Sequence, residues 1–219
     1  MMIESKKGNK ERSHSWIHYI VFIIIIFISD DTFNFGTNEN YTFFVAKYII
    51  YSILTLFLLA NFNYRYITVL TKSNLILYLI TTSIILTAFF NFDTSGGYLY
   101  QIWLFLLGFL IVNIFKKQSI IDVYLNVIYW LSVVSLVIFV TANISLSFFE
   151  IFPIYYNSIG VGFYNLWIGV VFTDGAFIRN TGIFREPGVY MIYLSIALIF
   201  ELFFKEKIKR RYFFVFLVA

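Results

Sequence analysis

The chain has 219 residues, of which 60% are hydrophobic, 22% aromatic and only 13% charged, with a net charge of +4. Soluble domains hold about 45–50% apolar and about 25% charged residues, and one soluble core of this length cannot hide so much apolar surface. Composition therefore excludes a soluble enzyme and a disordered chain. The lack of cysteine excludes a disulfide framework, a thiol nucleophile and a zinc–thiolate site. What remains is an all-α, polytopic membrane protein.

The first stretch, Met1–Trp16, is polar and carries Lys6, Lys7, Lys10 and Arg12. The run Ile17–Ser29 has the charge and length of a signal sequence. No small-x-small cleavage site follows it, only Ser29-Asp30-Asp31-Thr32, so it reads as an uncleaved first span over about 17–33. Five further apolar runs predict spans at 41–60, 74–92, 98–115, 123–142 and 188–204. Each is roughly 17–20 residues, enough to cross about 30 Å of hydrocarbon as a helix. They are apolar all round, as lipid requires, and none carries a small-xxx-small face of glycines. A long loop, 143–187, precedes the sixth span. Its apolar stretch Ile159–Thr173 reads as an interfacial or re-entrant segment over Phe163–Phe172. The final residues 212–219 (YFFVFLVA) follow a basic loop as a seventh span would, but are too short to cross. The expected architecture is one membrane domain over 1–219, a helical bundle of six spans plus a truncated seventh, read as the N-terminal portion of a longer protein.

Loop charges set the orientation. The N-terminus is basic, and so are the alternate loops carrying Arg65 and Lys72, Lys116 and Lys117, and Lys205, Lys207, Lys209, Arg210 and Arg211. The first and third loops, between them, carry Asp30, Asp31 and Glu39, then Asp93, with no basic residue. Lys and Arg gather on the cytoplasmic side of membrane proteins, so the N-terminus reads as cytoplasmic and the 143–187 loop as external.

Ionisable groups near lipid are costly, and so mark candidate chemistry. Lys47 lies within the second span. Its amine either snorkels to the outer headgroups or is held toward an anionic ligand near the outer surface. Asp122 and Glu201 fall at cytoplasmic ends and read as ordinary interface placement. The densest polar cluster outside the cytoplasmic loops is Arg179-Asn180-Thr181-Gly182-Ile183-Phe184-Arg185-Glu186-Pro187-Gly188. Pro187 suits the first position of the sixth helix, which sets Arg185 and Glu186 just before a helix N-terminus, where anions are favoured. Arg179 and Arg185 can clamp a pyrophosphate through bidentate donors, or can simply meet lipid headgroups. Glu186 can act as a general base or as an ordinary capping residue. The two histidines, His14 and His18, fall on the cytoplasmic side, so an external base must be a carboxylate. Tyr155, Tyr156, Tyr164 and Trp167 offer faces for sugar stacking, or else form an interfacial aromatic belt.

The run RNTGIFREPG, opening a helix after a long outer loop, resembles a motif of the O-antigen polymerase and ligase superfamily, most closely the Wzy-type oligosaccharide repeat-unit polymerases. The resemblance covers about ten residues. It implies a multi-pass glycosyltransferase of the bacterial inner membrane. Such an enzyme acts at the outer face on undecaprenyl-pyrophosphate-linked oligosaccharides to build O-antigen of lipopolysaccharide, capsule or exopolysaccharide. It implies roles for Arg179 and Arg185 in neutralising the lipid pyrophosphate, and for Glu186 as base on the acceptor hydroxyl or as a residue orienting an arginine. It implies no cofactor, no metal ion and no nucleic acid. Its partners would be the lipid-linked glycan, membrane lipid and other membrane proteins of polysaccharide assembly. Family members have about ten or more spans and a second large outer loop, which this chain lacks, so the fragment alone is not expected to hold a complete active site. Two alternatives stay open at this point: an O-antigen ligase, and a transporter or flippase of lipid-linked glycans.

Overall fold

The apolar runs fold as helices almost where their hydropathy places them. The computed structural model describes residues 5–29, 32–36, 41–62, 72–91, 97–115, 117–156, 161–173, 180–184 and 186–219. In chain order the helices are α1 (Ser5–Ile28), the short α2 (Phe33–Gly36), α3 (Tyr41–Asn61), α4 (Lys72–Phe90), α5 (Gly97–Ile114), α6 (Lys117–Ile144), α7 (Pro187–Phe203) and α8 (Arg210–Val218). Two helical stretches, Gly97–Ile114 and Ile120–Ile144, are long and apolar enough to cross a membrane by length and composition. Four shorter apolar stretches lie at Trp16–Ile28, Val45–Asn61, Leu75–Phe90 and Pro187–Phe203.

Polar side chains inside these helices turn back on the backbone. Ser52, Thr55, Thr87, Asn113, Ser132 and Thr141 each donate to the carbonyl four residues earlier, at 2.7–2.8 Å. A hydroxyl or amide satisfied in this way can sit in apolar surroundings without an orphaned donor.

The first helix ends at Ile28, short of the expected 33, and the reason is local. Ser29 Oγ donates to the Ile26 carbonyl at 3.0 Å, and Thr32 Oγ1 reaches the Phe27 carbonyl at 2.8 Å. These side chains cap the terminal carbonyls that the helix itself leaves unpaired, and α2 then starts separately at Phe33.

The chain divides into two compact units, residues 48–120 and residues 1–47 together with 121–219. Within the 48–120 unit, α4 packs against α5. Here Trp103 Nε1 donates to Thr55 Oγ1 at 2.8 Å, and the rings of Tyr48, Tyr51, Tyr100 and Trp103 meet at 5.6–6.3 Å. No described side chain of α4 is buried. Leu75, Ile76, Leu79, Ile85, Leu86, Phe89 and Phe90 all stand exposed.

The other unit has a continuous apolar core. Ile121, Leu125 and Ile128 of α6 pack with Tyr190, Leu194 and Ala197 of α7, Tyr212 and Phe216 of α8, and Ile26 of α1. After α6 and a 3-10 turn at Leu146–Phe149, the 143–187 loop departs from the all-α expectation. The stretch Phe163–Phe172, read as an interfacial or re-entrant segment, falls on the second and third strands of a three-stranded antiparallel sheet in the order β1 (Ile154–Tyr156), β2 (Gly162–Asn165) and β3 (Val170–Phe172). Ile154 faces Tyr164, and Tyr164 faces Val171. Short runs of β-branched and aromatic residues broken by turns favour strands over helix. Tyr164 and Val171 pack on Ala142 and Phe149, while Phe163 meets Phe33 at 4.0 Å and stacks with Tyr155 at 5.9 Å. The sheet thus buries residues on both faces.

Candidate functional site

The segment Asn180–Phe184 lies at a convergence of four elements, the α1–α2 connection, β3, α6 and α7, and also meets Ala219 just after α8. Its backbone pairs on one side with the α1–α2 connection, through an antiparallel bridge between Thr32 and Phe184 and a 3.0 Å bond from Phe33 N to the Ile183 carbonyl. On another side Val170 N of β3 donates to the Gly182 carbonyl at 3.1 Å. Asn180 Nδ2 donates to Ser135 Oγ of α6 at 3.3 Å and to the Ala219 carbonyl at 2.8 Å. Its Oδ1 accepts from Gly182 N at 3.3 Å, closing a local turn. From α7, the Tyr190 hydroxyl lies 2.8 Å from Ser135 Oγ, both buried, and the Phe184 ring stacks on Tyr190 at 5.6 Å and on Tyr193 at 4.4 Å.

Gly182 explains why this turn needs glycine. Its φ is +56°, a left-handed conformation that side-chain-bearing residues avoid. A Cβ there would meet the Tyr190 ring at only an ordinary 3.5 Å, so the backbone angle, not crowding, sets the requirement. Beside it, a cavity of about 10 Å³ is lined by Ser135, Ile138, Gly169, Asn180 and Gly182, close to the room one water needs. Thr181 is buried, with its hydroxyl lacking a hydrogen-bond partner among the described residues.

This braced segment leads directly into α7. Glu186 occupies the N-cap position with extended backbone, and Pro187 is the first helical residue, as the sequence predicts. The Glu186 carboxylate is exposed and makes no capping hydrogen bond, which argues against ordinary capping as its role. Gly188 has nothing within 4 Å of where a Cβ would stand. Arg179 and Arg185, the two expected pyrophosphate ligands, lie outside the described residues.

The remaining expected site residues are dispersed. Trp167 is exposed on the β2–β3 turn, where its φ of +66° is strained for a bulky side chain. Asparagines hold that turn: Asn34 Nδ2 donates to the Trp167 carbonyl at 3.3 Å, Asn165 Oδ1 accepts from Trp167 N at 2.8 Å, and Asn165 Nδ2 donates to Asn34 Oδ1 at 2.6 Å. Tyr155 and Tyr156 are also exposed, whereas Tyr164 is buried and offers no face to a sugar. Lys47 is only 3% exposed. Protein covers it, whereas a snorkelling amine would be open at its tip.

Two polar residues emerge that sequence reading assigned to plain interface positions or passed over. Glu201 is fully buried in α7; one carboxylate oxygen accepts from the Lys209 amide, and the other has no hydrogen-bond partner among the described residues. Asn126 of α6 donates to the Tyr19 hydroxyl at 2.7 Å and accepts from the Tyr212 hydroxyl. Helical spacing puts Asn126 one turn beyond Asp122, yet only the fold reveals that α1 and α8 meet it.

No family model, curated protein or solved structure matches the chain.

Proposed function

We propose that this chain belongs to a multi-pass enzyme of the bacterial inner membrane that polymerises undecaprenyl-pyrophosphate-linked oligosaccharide repeat units at the outer face. The six apolar helices with alternating loop charge support the orientation, with the N-terminus in the cytoplasm. Glu186 is the catalytic base on the acceptor hydroxyl. Arg179 and Arg185 neutralise the pyrophosphate leaving group, and Trp167 contributes to substrate binding.

One observation carries the reading: an exposed carboxylate, free of capping duty, follows a segment fixed on four elements. Such bracing is what a catalytic group requires, because its geometry must hold within about half an ångström.

The test is complementation of a deletion strain by the gene carrying Glu186→Ala or Glu186→Gln. Long polysaccharide should disappear and single repeat units should accumulate, with normal protein levels in the membrane. Wild-type polymer from both variants would refute the assigned role. The orientation has its own check: Lys207→Cys should resist labelling from outside the cell.

A further inference from the structure

From the turn after α7 into the first turn of α8 the chain reads Lys205-Glu206-Lys207-Ile208-Lys209-Arg210-Arg211. Lys205 pairs with Asp122, and burial, followed by the nearby Lys209 charge, lowers its amine pKa. The other four cations are exposed, with Glu206 as the one acidic residue in the turn. Two of the four are held by aromatic rings: Lys209 Nζ lies 4.8 Å from the Tyr212 ring centre, and the Arg211 guanidinium 5.3 Å from Tyr212 and 5.7 Å from Tyr129. Lys207 and Arg210 meet no aromatic ring or carboxylate among the described residues and stand exposed.

Bare apolar side chains flank this charge on both sides in sequence. Phe203 (78% exposed) and Phe204 precede it, Ile208 interrupts it, and Phe214 and Leu217 follow. Adjacent cationic and apolar surface suits the boundary of a bilayer, where charge meets headgroups and rings enter the acyl layer beneath. A soluble acidic partner would match the charge but would not account for the phenylalanines.

We propose that the α7–α8 turn is a binding surface for anionic phospholipid headgroups. The proposal rests on the membrane reading above and not on the polymerase activity. Each basic residue near an anionic surface strengthens binding roughly fivefold, so Lys207 and Arg210 together should account for at least a tenfold preference.

The experiment uses the full 219-residue chain. Reconstitution into phosphatidylcholine vesicles, with and without phosphatidylglycerol, followed by alkaline carbonate extraction, tests membrane residence alone. Extraction from both vesicle types would overturn the membrane reading and the proposal with it. Native mass spectrometry in neutral detergent with equimolar phosphatidylglycerol and phosphatidylcholine then tests the surface. Wild-type protein should retain phosphatidylglycerol preferentially. Lys207→Gln/Arg210→Gln should lose about tenfold of that preference, and Lys6→Gln/Lys10→Gln, which removes equal charge elsewhere, should keep it. Three results would overturn the proposal: no preference in wild type, an equal loss in both double variants, or displacement of the lipid by millimolar inorganic phosphate. An unchanged preference in Lys207→Gln/Arg210→Gln would also overturn it, leaving the turn to an acidic protein partner.

Discussion

The 48–120 unit and the remainder of the chain each contain strongly apolar helices, yet they bury different things. In the first, α4 exposes nearly every large side chain it has, and the polar contact described between helices is one indole–hydroxyl bond. In the second, α6 and α7 bury Ser132, Ser135 and Glu201 along with their apolar faces, and the loop between them adds Thr181. On the membrane reading, the first region presents apolar surface to lipid, while the second orders a specific loop at a helix start. Hydrophobicity marks both alike. Buried polar groups distinguish the region whose geometry matters, because bonded pairs such as Ser135 with Tyr190 are satisfied in one arrangement only.

The sharpest way to break this contrast is a matched pair of truncations. Leu125 is 1% exposed and Leu79 is 61% exposed. Leu125→Ala should cost about 3 kcal/mol, as lost burial plus a cavity. Leu79→Ala should stay within about 0.5 kcal/mol. Thermal unfolding in one detergent measures both, and equal losses would erase the distinction between the units.

The helices were legible because a long apolar run has few alternatives. Pro187 as the first residue of α7 was legible too, since proline suits a position whose N–H has no helical partner. The end of α1 was not, because it depends on Thr32 bonding back to Phe27, a local hydroxyl choice that hydropathy does not register. The β-sheet was missed for a related reason. Phe163–Phe172 is as apolar as a lipid-facing segment, and only its pairing with β1 shows that protein covers it. The site was half legible. The Arg179–Gly188 string stands out by its composition, but its anchors Ser135 and Tyr190 sit in apolar helices where a lone hydroxyl carries no sequence signal.

The next-largest effect should come from Gly182. Gly182→Ala forces a side chain into left-handed backbone and should cost about 1–2 kcal/mol. A loss below about 0.3 kcal/mol would show that the turn relaxes and that its geometry is not imposed. The buried hydroxyl pair comes next. Ser135→Ala and Tyr190→Phe should each cost about 1 kcal/mol, and the double variant should cost less than their sum. Additive losses would mean that α6 and α7 are not coupled through this bond.

The smallest effect carries the opposite sign. Gly188 sits in the first turn of α7 with open space around it. Gly188→Ala should therefore stabilise the protein by about 0.5–1 kcal/mol while lowering polymer yield, if the space beside Glu186 is reserved for substrate. Full activity in a stabilised Gly188→Ala protein would remove that reason for the glycine.

The Asn34–Asn165 contact joins positions 131 residues apart in sequence. At about 5–20 residues per second, a ribosome needs roughly 7 to 26 seconds to deliver the second asparagine after the first. Throughout that interval the α1–α2 connection is made but has nothing to clasp, and the bridge to Phe184 must wait longer still. The last part of the site to be ordered is thus tied to a part synthesised well before it. Cutting away residues 1–36 would remove Thr32 and Phe33 and, with them, one wall of the loop that precedes Glu186.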